Sequence, residues 1–156
     1  SLHDALPISA IVGESLAGLF VVETLLTEPE LFDVYVAVDP NRHVVIDRWP
    51  SGSIRLVDRD PVNGCRPSAD LLFASVAKTA GMRAAAALLS AGGVDGAAGI
   101  AAIKGAGGVA IGQSPDTALV SEAVCAAQAR GLDRLAAPGE AAGLLLAPQE
   151  AGLAAA

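Results

Sequence analysis

The sequence predicts an α/β fold: a doubly wound, mostly parallel sheet with flanking helices, truncated at its start. Two observations predict it. Short apolar runs alternate with stretches at helical spacing along most of the chain, the pattern of strands joined by helical crossovers. One run, Ala84–Leu89, ends in a glycine cluster holding a single carboxylate, Asp95, and a helical pattern follows at once. In open parallel sheets such a strand–turn–helix places chemistry at the carboxyl end of the strand.

The totals narrow the function classes. The chain has 156 residues, enough for one domain with a modest core. Its net charge of −7 and 3% aromatic content argue against nucleic-acid partners, which need basic surfaces or stacking platforms. No apolar run approaches the ~20 residues of a membrane span, so no membrane insertion is expected. The start lacks a basic segment leading into a long apolar stretch, which predicts no secretion signal and a cytoplasmic setting. Cys65 and Cys125 have no metal-ligand spacing and read as reduced thiols. Neither G-x-G-x-x-G nor G-K-[ST] stands among Gly92–Gly108, so no nucleotide, other cofactor or metal is expected.

Leu2–Ile8 reads L-H-D-A-L-P-I, which resembles the translation of a short-read sequencing adapter. Residues 1–9 are therefore taken as a non-native leader, and His3 and Asp4 get no functional weight. Ile11 and Val12 close a strand, Gly13-Glu14-Ser15-Leu16-Ala17-Gly18 turns, and Leu19–Leu26 is helical by pattern. From Val34 a strand, a proline turn at Pro40 and a second strand through His43–Asp47 follow; Gly52 marks a hairpin and Ser53–Val57 alternates as its return. Ser68 caps a helix to about Thr79, with Leu71, Leu72, Val76 and Ala80 on its apolar face, and Gly81 stops it. Then come the strand Ala84–Leu89, the Asp95 turn, a helix Ala97–Lys104 with Lys104 solvated, and a strand Val109–Gly112. A Ser-Pro-Asp turn, a helix through Ala123–Ala129, a strand near Leu132–Leu135 and a last helix from Glu140 complete the chain, and 148–156 fray.

Gly13-Glu14-Ser15-Leu16-Ala17-Gly18 is a variant of the nucleophile elbow. Small flanking residues allow a sharp turn that exposes the serine hydroxyl, and the helix beyond can offer N–H groups to an oxyanion. With the following P-E-L-F-D-V-Y-V-A-V-D-P, residues 10–40 resemble the esterase family of α/β-hydrolases that includes the siderophore esterases. That resemblance makes Ser15 a nucleophile; the residues alone leave it equally a helix-start turn residue.

P-V-N-G-C-R-P-S-A-D-L-L-F-A-S-V-A and L-L-S-A-G-G-V-D-G-A-A-G-I-A-A-I-K-G-A-G-G-V-A-I-G-Q resemble the catalytic domain of the CheB family, the protein-glutamate methylesterases of bacterial chemotaxis. The likeness covers about 34–147, and Val34–Ala37 fits both patterns, so a join of two coding segments is expected there. The resemblance implies a methyl-accepting chemotaxis receptor as partner and makes Asp95 the acid of a Ser-His-Asp triad. Ester hydrolysis needs that set: an imidazole takes the serine proton, and a buried carboxylate fixes the imidazole's tautomer. The chain departs from the family at Ser90-Ala91-Gly92-Gly93, where T-G-M-G is usual, and at Cys65-Arg66-Pro67, where H-R-P is usual. The family's Q-H-M-P segment, which carries the histidine, is absent. Three readings stay open: an incomplete methylesterase, inactive as it stands; an esterase of the siderophore type using Ser15; and a non-catalytic module of the CheB type. Asp95 reads either as the triad acid or as a turn residue satisfying backbone N–H groups. His43 reads either as a substitute base or, with more weight, as a surface histidine at a strand start.

Overall fold

The structure is a computed structural model that describes residues 8–12, 41–48, 53–141 and 143–145. Strands are β1 (Ile8–Val12), β2 (His43–Arg48), β3 (Ser53–Val57), β4 (Ala84–Leu88), β5 (Val109–Gln113) and β6 (Arg134–Ala136). Helices are α1 (Ala69–Ala80), α2 (Ala97–Gly105) and α3 (Glu122–Gln128), with a 3-10 turn at Gly81–Arg83. Residues 138–141 and 143–145 are also helical. The expected helix Leu19–Leu26, the strand from Val34, the join at Val34–Ala37, the turn at Gly52 and the fraying of 148–156 lie outside the described residues, as does Ser15.

Strands β1, β4, β5 and β6 form one sheet in that order, all parallel. The strand β4, A-A-A-A-L, is a poor strand former by composition. Its place compensates: it is paired on both edges and all five residues are buried, as in parallel sheets covered on both faces. Alternation sorts its side chains. Ala84, Ala86 and Leu88 join Ala110 against Phe73, Val76 and Ala77 of α1, Ile100 and Ile103 of α2, and Val124 of α3. Ala85, Ala87 and Leu89 face the other way, with Ile111 and Ala136, against Ala141 and Leu145. Helices thus cover both sides, the doubly wound α/β arrangement. Strand β1 begins at Ile8, so the last two residues of the segment read as a leader pair with Ala84 and Ala85.

Helix α1 keeps its expected limits for the expected reasons. Ser68 Oγ accepts from the Leu71 N–H, and the chain turns out at Gly81 with φ +56°. Its buried face differs from the expected one: Phe73 and Ala77 are fully inside with Val76, while Leu71 and Leu72 are half-buried. The reason is Gly99. A Cβ there would stand 2.7 Å from Phe73 Cβ, so the glycine lets α2 close onto the Phe73 ring.

The hairpin β2–β3 forms a separate antiparallel pair. It is clamped to α1 by side chains that substitute for a third strand. Ser75 Oγ accepts from the Ile46 N–H at 2.9 Å, and Thr79 Oγ1 donates to the Ile46 carbonyl at 3.2 Å. Lys104 is not simply solvated. Its ammonium donates to the Gly108 carbonyl at 2.8 Å and pairs with Asp133 at 2.7 Å, while Asp133 Oδ2 also accepts from the Ala110 N–H at 2.7 Å. A cation late in α2 so ties the loop before β6 to the start of β5. That tie puts β6 at Arg134–Ala136, two residues after its expected start.

Candidate functional site

The parallel register brings the carboxyl ends of β1 and β4 together. Val12 pairs with Leu88, and the Leu89 N–H donates to the Val12 carbonyl at 2.7 Å. Beyond β4 the chain passes through Ser90–Gly93 to Asp95; Ser15 follows β1 by three residues and is not among those described. Ser90 and Gln113, both buried, clip the loops at this edge. Gln113 Oε1 accepts from the Ser90 N–H at 2.9 Å, its amide donates to the Thr117 carbonyl at 3.1 Å, and Ser90 Oγ accepts from the Val120 N–H at 3.0 Å. Gly92, at the family's methionine position, lies next to Val120 and Glu122.

Asp95 is 6% exposed, and its carboxylate plugs the amino end of α1. Oδ1 accepts from Ser68 Oγ at 2.7 Å and more weakly from the Asp70 N–H at 3.4 Å; Oδ2 accepts from the Ala69 N–H at 2.5 Å. Those N–H groups are orphan donors of the helix start, and the helix dipole favours an anion there. An ionised carboxylate has about four acceptor sites. Three are occupied, leaving one on Oδ2. Asp70 returns the arrangement: its Oδ1 accepts from the Gly96 N–H at 2.9 Å and the Gly99 N–H at 2.7 Å, both at the start of α2. Asn63 Nδ2 donates to Asp70 Oδ2 at 2.8 Å. Each helix thus supplies the carboxylate that caps the other. The glycine at 96 is required by φ +105° and by Leu88, whose Cδ1 lies 2.9 Å from where a Cβ would be. Sequence reasoning marked Ser68 as a cap but missed that its hydroxyl also holds Asp95, and missed Asp70 and Asn63. The available signal was the pairing of N-x-x-R-P-S-x-D with D-G-x-x-G in one chain.

His43 is not a surface histidine. It begins β2 yet is fully buried. Nδ1 accepts from the Ser68 N–H at 3.1 Å, and Nε2 donates to the Asp60 carbonyl at 2.9 Å. A backbone N–H can only donate and a carbonyl can only accept, so the ring is the neutral Nε2–H tautomer with both nitrogens engaged. It joins the hairpin to the loop before α1 and shares Ser68 with Asp95 as a neighbour, one through the backbone and the other through the hydroxyl.

Cys65 lies half-buried in the same loop. Burial pushes its thiol up, and the negative charges of Asp95 and Asp70 push it further in the same direction. In a Cys125→Ser background, alkylation of Cys65 by iodoacetamide is expected to reach half its maximal rate above the pH of an ordinary thiol. Asp95→Asn removes one of the opposing charges and should bring the profile back down. A Cys65 that titrates at or below the ordinary value would contradict this geometry. Among the described residues no three His, Cys, Asp or Glu side chains are grouped to hold a metal ion, and no helix is long and apolar enough to cross a membrane.

The family model described as CheB methylesterase matches residues 12–145. The chain belongs to the CheB methylesterase family. Curated relatives include a protein-glutamate methylesterase/protein-glutamine glutaminase of Agrobacterium fabrum, 45% identical over 87 residues, covering 56% of this chain and 25% of the relative. One from Anaeromyxobacter dehalogenans is 34% identical over 140 residues, covering 77% of this chain and 40% of the relative. The chain thus spans a quarter to two-fifths of these relatives' lengths. The crystal structure of the Thermotoga maritima CheB methylesterase catalytic domain superposes with a TM-score of 0.68 over 92% of this chain and 89% of that one. At 18% identity that likeness speaks for the fold.

Proposed function

We propose that this chain carries the acid-bearing part of a serine-dependent protein-glutamate methylesterase site and, as it stands, lacks the base that would make the serine react. The observation that carries the reading is the Asp95 carboxylate. It is buried and anchored by three donors at the carboxyl edge of β4, with one acceptor site left over. That is what a triad acid needs: an ionised group held still, able to accept one more N–H and steady an imidazolium. The family resemblance assigns Asp95 this part, and the elbow at the end of β1 makes Ser15 the nucleophile.

The implied reaction is acyl transfer. Ser15 Oγ would attack the carbonyl of a receptor glutamate methyl ester, methanol would leave, and water would release the free glutamate. The relatives' second named activity, on protein glutamine, differs in the leaving group. The partner is a methyl-accepting chemotaxis receptor, and the setting is cytoplasmic. Residues 10–40 supply the esterase-type elbow and 34–147 the CheB-type domain in this reading.

A base is missing from the scheme. Of the two histidines in the chain, His43 has both ring nitrogens committed to backbone groups, and His3 lies outside the described residues. Without an imidazole within reach of the serine, general-base catalysis, worth about 10²–10⁴-fold, is lost. Methanol release from a methyl-esterified receptor is therefore expected to stay at the buffer rate with this chain added. Turnover above buffer that disappears in Ser15→Ala would overturn the proposal.

A further inference from the structure

We propose that Asp70 is the positioning residue for Asp95. The inference rests on Asp95 as the acid position and goes beyond it to what fixes that carboxylate. The Asp70 carboxylate touches the start of α2: Oδ1 holds the Gly96 and Gly99 N–H groups at 2.9 and 2.7 Å. Gly96 is the residue next to Asp95 in the chain, so these two bonds set the backbone from which the Asp95 side chain departs. Gly96 has positive φ and no side chain of its own to limit that backbone. The Asp95 carboxylate then reaches back to Ser68 and Ala69, the two residues immediately before Asp70. The result is a closed ring of hydrogen bonds between two helix starts. Asn63 steadies it from outside through Asp70 Oδ2 at 2.8 Å.

Two independent caps would predict something different from a closed ring. If each carboxylate only caps its own target, removing Asp70 loosens Gly96 and Gly99 and leaves Ala69 as it was. If Asp70 positions Asp95, the Ala69 N–H loses its acceptor as well, although Asp70 accepts nothing from it.

Native-state amide exchange of the full chain, read residue by residue by NMR, separates the two. In Asp70→Ala, exchange at Ala69 is expected to rise about tenfold relative to the amides of β5, the loss appropriate to one bond to a charged acceptor. The β5 amides serve as the reference for global loss of stability. Asp70→Asn keeps an acceptor oxygen toward Gly96 and Gly99, and Asn63 can turn its amide over to match, so Ala69 should return to its original protection. Should Asp70→Ala fail to fold, Asn63→Ala provides the milder test, with the same selective change at Ala69 and smaller size. Unchanged exchange at Ala69, a rise only in proportion to β5, or no rescue by asparagine would each overturn the inference. None of these readouts needs an ester to be hydrolysed, so the positioning role and the methylesterase reading can fail separately.

Discussion

Asp95→Ala is expected to lower the unfolding free energy by about 3 kcal/mol, the sum of a lost helix cap and of buried donors left without an acceptor. The Ser68 hydroxyl and the Ala69 N–H lose their partner together, in a site from which water is largely excluded. For a chain of this length that corresponds to a fall in Tm of about 6–12 °C. Asp95→Asn keeps one acceptor oxygen but gives up the charge that the amino end of α1 favours, and should cost about half as much. Urea denaturation followed by circular dichroism measures both. An Asp95→Ala variant within about 0.5 kcal/mol of the parent, the range of ordinary surface substitutions, would mean that the carboxylate does not hold α1.

Phe73→Ala is expected to cost about 3–5 kcal/mol, the range for removing a fully buried aromatic side chain. Phe73 sits where α1, α2 and the sheet meet, and Gly99 is shaped around it. That contact makes a second expectation. Gly99→Ala alone puts a methyl group 2.7 Å from Phe73 Cβ and 3.1 Å from the Asp70 Cα, and should cost about 1–3 kcal/mol by overpacking. In a Phe73→Ala background most of that crowding is gone and the added methyl helps refill the space, so its cost should vanish or change sign. Additive losses in the double variant would show that the two positions do not pack as described.

Much of the fold was legible because its signals are local. Ser68 and Gly81 bound α1, and the run Ala84–Leu88 is a strand because only small, apolar side chains fit between two helical layers. The order of strands was not legible: nothing in I-S-A-I-V says that it will lie beside A-A-A-A-L, since pairing across so long a separation is decided by packing. The same limit explains His43. At the start of an alternating strand it resembles a surface residue, and only the return of the loop at Asp60 and Ser68 buries it. Lys104 was misread for lack of its distant partner Asp133.

The candidate site divides in the same way. Asp95 stood out because a lone carboxylate in a glycine cluster after a strand has few other places to go. Asp70 did not, because an acid in the first turn of a helix normally serves its own helix. Here it serves the next one, and the sequence carries that only as two motifs whose reciprocity becomes visible once the helices touch.

The reading of an anchored acid without a free base is tested most directly at the serine. Incubating the folded chain with a fluorophosphonate, which acylates only activated serines at useful rates, and mapping adducts by mass spectrometry asks whether Ser15 has a working base, whatever the natural ester. The account predicts no adduct at Ser15 beyond that of the urea-unfolded chain. Rapid labelling of Ser15 in the folded chain, lost in a folded Asp95→Asn variant, would contradict it and make this a complete triad.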